Sequence, residues 1–253
     1  MLLKEVIIVT RLIKKTKNAG KIQIVSVYHE QGPVPHHHGG TSTYSDKEKN
    51  LKKAAKNLNL KIALNFDVAT CRFITISLLE PYCKDMSQAK KLKRKIIRFI
   101  ENYYKDQGLD FKTVGSIERG KKRTKRLHFH LLIPEITFSK LNIALRKKFK
   151  NEIGCIYSKR AYEKEENDNM ALAFYLLKNR KESDEFEVSI ISHNLQTVDV
   201  DTREIKSCEN PFLELKHTGR IEAPKGYTWD KKQSFLNSNE ISEPTGTTRF
   251  NKI

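Results

Sequence analysis

Apolar residues alternate with polar ones along seven short segments of the chain and recur every three to four residues along four longer segments. The first pattern predicts β-strands and the second predicts amphipathic helices. Strands are predicted over residues 4–13, 21–28, 72–79, 111–118, 127–133, 153–158 and 185–192. Helices are predicted over residues 46–63, 88–105, 139–150 and 167–179, and Ser87 is expected to cap the second of them.

From the third strand onward, the predicted order is β-α-β-β-α-β-α. This order is typical of an α+β fold in which helices pack on one face of an antiparallel sheet, as in ferredoxin-like and RRM-like domains. The expected organisation is an N-terminal β-hairpin and loop over residues 1–45, a core over 46–182 and a C-terminal extension over 183–253. The tail from about residue 230 has the composition of a disordered segment.

The distribution of charged residues along the chain indicates the kind of partner that it binds. The formal net charge over 253 residues is +18. Residues 1–183 hold 39 Lys/Arg against 18 Asp/Glu, whereas residues 184–253 hold 9 against 12. Such a concentration of positive charge favours a polyanionic partner. The alternative is a general bias toward lysine, but the cations here cluster beside other signals.

The cysteines and the apolar runs bear on location. The four cysteines lie far apart without a CxxC pair, which indicates neither a zinc site nor a disulfide framework and favours a reducing cytoplasm. No apolar run approaches the roughly 20 residues of a membrane span, so no membrane partner is expected.

Two histidines lie in the predicted strand over residues 127–133. Because side chains alternate along a strand, His128 and His130 project from the same face and can share one ion. If this strand pairs with the preceding one about Arg123, then Glu118 lies opposite His128 and Ser116 opposite His130, close enough for the carboxylate to reach the same ion. The sequence therefore predicts a divalent metal site.

The histidine pattern alone is weak. With eight histidines in the chain, an HxH triplet arises by chance on the order of a quarter of the time, and a structural pair of half-buried histidines is the alternative. The run His36-His37-His38 lies in a Gly/Pro-rich loop and is interpreted as solvated.

A tyrosine and a lysine lie on the last predicted helix. Met170, Ala173, Phe174 and Leu177 form its expected packing stripe. Tyr175 and Lys178 lie three residues apart beside that stripe, where an ammonium group favours the phenolate of a nucleophilic tyrosine. The alternative is a boundary tyrosine with its ring in the core and its hydroxyl in water.

Cations precede the histidine strand. The turn over residues 119–126 is expected to display them at the mouth of the metal site and to position phosphates there. Residues 90–98 and 146–150 add further cations, as a DNA track or as solvated helix faces. The sequence GxxxxGK at residues 115–121 is rejected as a P-loop, because Lys122 replaces the required Ser/Thr and no helix follows. The six cations of the turn are Arg119, Lys121, Lys122, Arg123, Lys125 and Arg126.

Three motifs together resemble those of the single-tyrosine HUH endonucleases, the replication initiators of rolling-circle plasmids and single-stranded DNA phages. The first is FITISL at residues 73–78, the second is Glu118 followed by LHFHLL at 127–132, and the third is YLLK at 175–178. The resemblance covers about residues 60–180, under half of the chain. The third motif lacks a second tyrosine, since Tyr157 and Tyr162 lie upstream.

The resemblance implies a HUH endonuclease core in which His128, His130 and Glu118 hold Mg²⁺ or Mn²⁺. It implies that Tyr175 attacks a phosphate of single-stranded DNA or an origin hairpin to form a 5′-phosphotyrosine intermediate, assisted by Lys178. The expected role is initiation of rolling-circle replication in the cytoplasm of a bacterial host, with host replication proteins as further partners. The alternatives are a mobilisation relaxase or a single-tyrosine transposase with the same chemistry, and a non-catalytic nucleic-acid-binding protein.

Overall fold

The computed structural model describes residues 11–30, 45–67, 69–120, 126–161, 169–177, 190–237 and 244–253. The chain forms two compact units: a terminal unit from residues 1–43 and 197–253, and a central unit from residues 44–196. The strands are β1 (Arg11–Ala19), β2 (Ile22–Glu30), β3 (Arg72–Leu78), β4 (Val114–Arg119), β5 (Leu127–Ile133), β6 (Ile153–Arg160), β7 (Ile190–Ile191), β8 (Asp199–Glu204), β9 (Tyr227–Asn237) and β10 (Thr245–Lys252). The helices are α1 (Asp46–Asn65), α2 (Met86–Asp106), α3 (Phe138–Lys148), α4 (Asn169–Leu177) and α5 (Pro211–Thr218), with a 3-10 turn over Ser207–Glu209.

The central unit contains a five-stranded sheet in the order β6-β3-β5-β4-β7, in which each neighbouring pair is antiparallel. The segment β3-α2-β4-β5-α3-β6 connects its strands in the manner of a ferredoxin-like split βαβ unit. The predicted α+β fold and its element order are therefore confirmed.

Helices α2 and α3 cover the first face of this sheet. Their apolar residues, among them Leu92, Ile96 and Leu145, form one buried cluster with Ile76 of β3 and Phe129 of β5. Side chains alternate between the two faces of a strand. Because the residues of this cluster point toward α2 and α3, the residues between them point toward the second face.

Helices α1 and α4 lie on the second face, which corrects the expectation that helices pack on one face only. A second buried cluster joins Ile62 of α1 and Leu176 of α4 with Phe73, Val114 and Leu132 of the strands. These three strand residues are apolar and face away from α2, so they require a cover of their own. The other residues of β3, β4 and β5 on this face, among them Thr75, Glu118 and His130, are polar.

The N-terminus of α2 also differs from the sequence prediction. The N-cap is Asp85 and not Ser87, because the Asp85 Oδ1 atom accepts hydrogen bonds from the backbone N–H groups of Ser87 at 2.7 Å and Gln88 at 3.2 Å. Ser87 lies inside the first turn. Both residue types are good caps, and the hydrophobic periodicity does not separate positions two residues apart.

The terminal unit contains a second antiparallel five-stranded sheet in the order β8-β1-β2-β10-β9. The expectation of partial disorder from about residue 230 is wrong for the described part of this tail, which forms most of β9 and all of β10. Strand β10 pairs with β2 on one side and with β9 on the other, and Phe250 is buried with Val27 and Phe212. This pairing joins two segments that the sequence presents as separate extensions.

Some predicted features lie outside the described residues. They are residues 4–10 and 185–189 of two predicted strands, and the histidine run over residues 36–38. All four cysteines are described and are free thiols. Burial raises the pKa of the Cys71 thiol to about 12. Within the described parts of the chain, no helix has both the length and the apolar composition needed to cross a membrane.

Candidate metal centre

The pairing of β4 with β5 brings three potential metal ligands to the second face of the central sheet. Glu118 lies directly opposite His128, Ser116 lies opposite His130, and Ile117 lies opposite Phe129. This is the register predicted from the sequence, which is thereby confirmed. Since side chains alternate along each strand, the carboxylate and both imidazoles project together, away from α2 and α3.

The ligand atoms of this triad converge. The Nε2 atom of His130 lies 2.8 Å from Glu118 Oε2, the Nε2 atom of His128 lies 3.7 Å from the same oxygen, and one ligand atom from each residue lies within 4.8 Å of the others. Glu118 and His130 are buried, whereas the side chain of His128 is 19% exposed. A small ion could therefore bind all three groups and remain accessible from the His128 side.

The outer nitrogen of each imidazole has an oxygen partner. The Nδ1 atom of His128 donates to the Arg126 carbonyl at 3.3 Å, and since a carbonyl only accepts, a neutral His128 ring presents an Nε2 lone pair toward Glu118. The Nδ1 atom of His130 lies 3.0 Å from Thr75 Oγ1 on β3. Oxygen partners of this kind orient histidines that bind metals. The donor set of two imidazole nitrogens and one carboxylate oxygen therefore fits a divalent cation.

Aromatic rings enclose the buried end of the triad. The ring of Phe73 stacks on His130 with a centroid distance of 5.4 Å and an angle of 16°. The ring of Tyr175 meets the edges of both, at 5.7 Å from Phe73 and 5.1 Å from His130. These contacts restrict the plane of the His130 ring, because a tilt of the ring would break the stack.

Tyr175 of α4 is the fourth predicted site residue that the fold brings to this place. Its hydroxyl oxygen lies 3.3 Å from His130 Nε2, a ligand atom of the triad, while the residue as a whole remains 39% exposed. The tyrosine is therefore accessible to solvent, and its hydroxyl lies beside a potential ligand atom of the triad. Lys178, its predicted partner, lies outside the described residues.

The packing of α4 departs from the predicted stripe. Its buried residues are Ala173, Leu176 and Leu177, while Phe174 is 37% exposed and the side chain of Met170 is not described. The buried side is thus turned toward Leu176. This orientation places the Tyr175 ring against Phe73 and His130, a contact that helical periodicity alone could not reveal.

The basic turn is described only at its two ends. Arg119 alternates with Glu118 and donates from Nη2 to the Lys84 carbonyl at 3.3 Å, so it does not belong to the ligand face. Arg126 is exposed and contributes its carbonyl to His128. The other four predicted phosphate contacts, Lys121, Lys122, Arg123 and Lys125, lie outside the described residues.

Sequence reasoning assigned no role to Thr75 or Phe73, although both lie in the first motif. The available signal was alternation, which places Phe73, Thr75 and Ser77 on one face of β3. What was missing was the sheet order, since only the pairing of β3 with β5 turns that face toward the histidines.

A second tyrosine, Tyr157 of β6, faces the same way as Thr75, with which it pairs. It is 65% exposed, and its hydrogen bond with the Cys155 side chain raises its pKa above the usual value for a tyrosine. Phenolate formation is thus disfavoured at this position.

Comparison with known proteins gives no further information about the role of this site. The chain matches no protein-family model, no curated protein and no solved structure.

Proposed function

We propose that the protein nicks and rejoins single-stranded DNA with Tyr175 as the nucleophile and a divalent cation as cofactor, and that it thereby initiates rolling-circle replication. The observation that carries the proposal is the 3.3 Å distance between the Tyr175 hydroxyl and a nitrogen of the Glu118–His128–His130 triad. A metal triad alone is compatible with many reactions, but an exposed phenol beside it favours transfer of a phosphoryl group to oxygen.

The reaction exchanges one phosphodiester for another. A bond forms between the Tyr175 oxygen and phosphorus, and the bond between phosphorus and the 3′ oxygen breaks. The phenolic proton passes to solvent, and the released 3′ oxygen takes up a proton. Because the number of phosphoester bonds is unchanged, the step needs no nucleotide cofactor and can run backward to rejoin the strand.

The residues of the site have separate tasks in this reaction. Mg²⁺ or Mn²⁺ held by Glu118, His128 and His130 would polarise the scissile phosphate and stabilise the charge that develops on it. Phe73 fixes the His130 ring by stacking, and the packing of α4 holds the Tyr175 hydroxyl beside the triad. Positioning of this kind contributes to rate because the reacting atoms start close together.

The second face of the sheet also offers features suited to a single strand. Tyr157 lies two strands from His130, or about 10 Å away at a strand spacing of about 4.8 Å, and exposes a ring on which a base can stack. The net charge of +18 supplies a long-range attraction for phosphates. The order of the three motifs, on β3, β4 with β5 and α4, supports the same proposal, because all three contribute side chains to one site.

The deciding experiment is incubation of the protein with a pool of random single-stranded oligonucleotides and Mn²⁺, followed by mass analysis for a nucleotide-linked tyrosine. We expect an adduct at Tyr175. Tyr175→Phe should abolish the adduct while leaving DNA binding nearly intact, because only the phenol oxygen is removed.

Tyr157→Phe is the matched control, since it removes the hydroxyl of another exposed tyrosine on this face and keeps the stacking ring. It should form the adduct as the unaltered protein does. An adduct that persists in Tyr175→Phe would show that the nucleophile is wrong, and the absence of any adduct across the pool would count against the nicking function itself.

A further inference from the structure

A row of four exposed cations lies on the outer side of α2. We call it the basic ridge; it consists of Lys91, Arg94, Lys95 and Arg98. Lys91 and Lys95 lie four residues apart, as do Arg94 and Arg98. The spacing is three residues between Lys91 and Arg94, and also between Lys95 and Arg98. Residues at these spacings are neighbours on a helix surface, so each cation faces two others.

Acidic residues occur at the two ends of the basic ridge but not within it: Asp85 precedes α2, and Glu101 follows Arg98 by three residues. No Asp or Glu occurs between residues 86 and 100, nor between residues 136 and 151, which include α3. On an ordinary solvated helix face, cations alternate with carboxylates three or four residues away, whereas like charges at those spacings destabilise the helix. The four cations of the ridge therefore have one another as their nearest charged neighbours along the helix, apart from Asp85 and Glu101 at the two ends.

Helix α3 extends the same positive surface. It packs on the first face of the sheet through Leu141 and Leu145, beside α2. Its exposed cations are Lys140, Arg146, Lys147 and Lys148, with Lys150 just beyond its end.

The basic ridge lies on the opposite side of the central sheet from the candidate metal centre. Helix α2 buries Leu92, Ile96 and Ile100 against the first face, and the ridge is on the outer side of that helix. The triad and Tyr175 lie on the second face. A strand held at Tyr175 therefore does not contact the ridge unless it passes around the edge of the sheet.

We propose that the basic ridge binds the phosphate backbone of double-stranded DNA, as a second nucleic-acid site separate from the one that is cut. Single-stranded binding sites use exposed aromatic rings for base stacking. In the described residues of α2 and α3, the one large apolar side chain that is strongly exposed is Ile143, which is not aromatic. The described surface of α2 and α3 thus offers cations that can contact phosphates but no strongly exposed aromatic ring on which a base could stack. This combination favours a duplex, whose bases are already paired.

The dimensions of the ridge agree with this partner. From Lys91 to Arg98 the helix rises about 10 Å, at about 1.5 Å per residue. Duplex DNA presents one negative charge per about 1.7 Å of its axis, so several phosphates lie within reach of such a row. We choose DNA over RNA because of the proposed function. The choice of a duplex over a single strand rests on the ridge itself and does not depend on that function.

The test is a variant with all four ridge residues changed to glutamine, K91Q/R94Q/K95Q/R98Q, in the full chain. Binding to a fluorescent 20-base-pair DNA duplex is measured in EDTA by anisotropy over a series of salt concentrations. Each phosphate contact contributes about 0.9 to the slope of log K against log salt, so loss of four contacts should flatten the slope by about 3.6. Adduct formation on short single-stranded oligonucleotides should not change.

The matched control is K216Q/R220Q/K231Q/K232Q, which removes four exposed cations from the terminal unit and changes the net charge equally. It should retain the duplex slope of the unaltered protein. The ridge variant should also unfold at the same or a higher temperature at low salt, because it loses repulsion, and this measurement separates lost binding from lost folding.

The proposal is overturned if the duplex slope of the ridge variant equals that of the control. It is also overturned if the variant loses affinity only for double-stranded RNA or only for vesicles containing anionic phosphatidylglycerol. Because duplex binding is measured without metal, a failure of the nicking function would leave this result standing, and the reverse also holds.

Discussion

Thr75 illustrates how a residue outside the ligand set can control the site. It lies on β3 directly opposite His130, and its hydroxyl is 3.0 Å from the ring nitrogen that points away from Glu118. If His130 binds an ion through Nε2, this hydroxyl is the oxygen that orients the ring from behind. A buried ring nitrogen without such a partner would lose part of its preference for the ligand orientation.

We therefore expect Thr75→Val, which keeps the shape of the side chain, to weaken Mn²⁺ binding by about 10- to 100-fold. The measurement is titration calorimetry on the metal-free protein. Ser77→Ala is the matched control: Ser77 lies on the same face of β3, but its hydroxyl donates to the Cys155 carbonyl, so its affinity for Mn²⁺ should not change. Equal Mn²⁺ affinities for the two variants and the unaltered protein would show that Thr75 does not support the metal site.

The sequence predicted the ligands of the site but not their supports. Alternation along one strand was enough to place His128 and His130 together, and pairing about the turn was enough to place Glu118 opposite them, because both depend on neighbouring segments. The contacts of Thr75 and Phe73 depend on β3 lying beside β5, more than 50 residues away in the chain. Hydrophobic periodicity contains no information about such a distant pairing.

At the scale of the element, α2 connects the two proposed nucleic-acid sites, since one side packs on the sheet and the other forms the basic ridge. Its first turn is held by the Asp85 carboxylate. The N–H groups of Gln88 and Ser87 hold the pKa of Asp85 below its usual value, because they bind the charged form. Asp85 therefore stabilises the folded protein above its unfolded pKa of 3.8, and this contribution is lost as the pH falls through the lower folded value.

Asp85→Ala should lower the unfolding temperature at pH 7, since it leaves two helical N–H groups without their partner. The gap between the variant and the unaltered protein should narrow as the pH falls below 3.8. Thermal unfolding followed by circular dichroism across this pH range provides the measurement. Ser87→Ala, at the position that the sequence favoured as the cap, should change little; a larger effect there than at Asp85 would contradict the capping seen in the structure.

Whole elements were predicted better than their surroundings. The periodicities of α2 and of β5 gave their type and their approximate bounds, because a single amphipathic face determines each of them. The orientation of α4 was predicted less well, since its buried side is set by Phe73 and α1 together. A helix that packs against two partners does not show a simple stripe, which is why Leu176 was missed.

At the scale of the whole molecule, the strands of the terminal unit come from two distant parts of the chain. Strand β10 lies between β2 and β9, so the sheet of the terminal unit depends on residues 245–252. Hydrophobic periodicity does not predict the pairing of β10 with β2, because residues 245–252 include few apolar residues and β2 is more than 200 residues away. The central unit has its own two apolar clusters and does not include this strand.

Deletion of residues 244–253 should therefore unfold the terminal unit and leave the central unit folded. Hydrogen exchange followed by mass spectrometry should show that the amides of β1, β2 and β9 lose protection while those of β3 to β6 keep it. Deletion of Ile253 alone, which lies after β10, should preserve the protection of both units. Loss of protection throughout the longer deletion would mean that the central unit does not fold independently.

The position of β10 also sets an order of events during protein synthesis. A ribosome adds about 5 to 20 residues per second, so the 56 residues from Thr197 to Lys252 take about 3 to 11 s to appear after the central unit is complete. Throughout that interval the hairpin of β1 and β2, although made before the central unit, lacks β10 and exposes the open edge of β2. Unpaired edges of this kind attract other strands. The hairpin of β1 and β2 is thus made long before its partner strand, and we expect this hairpin to be where newly made protein depends most on chaperones.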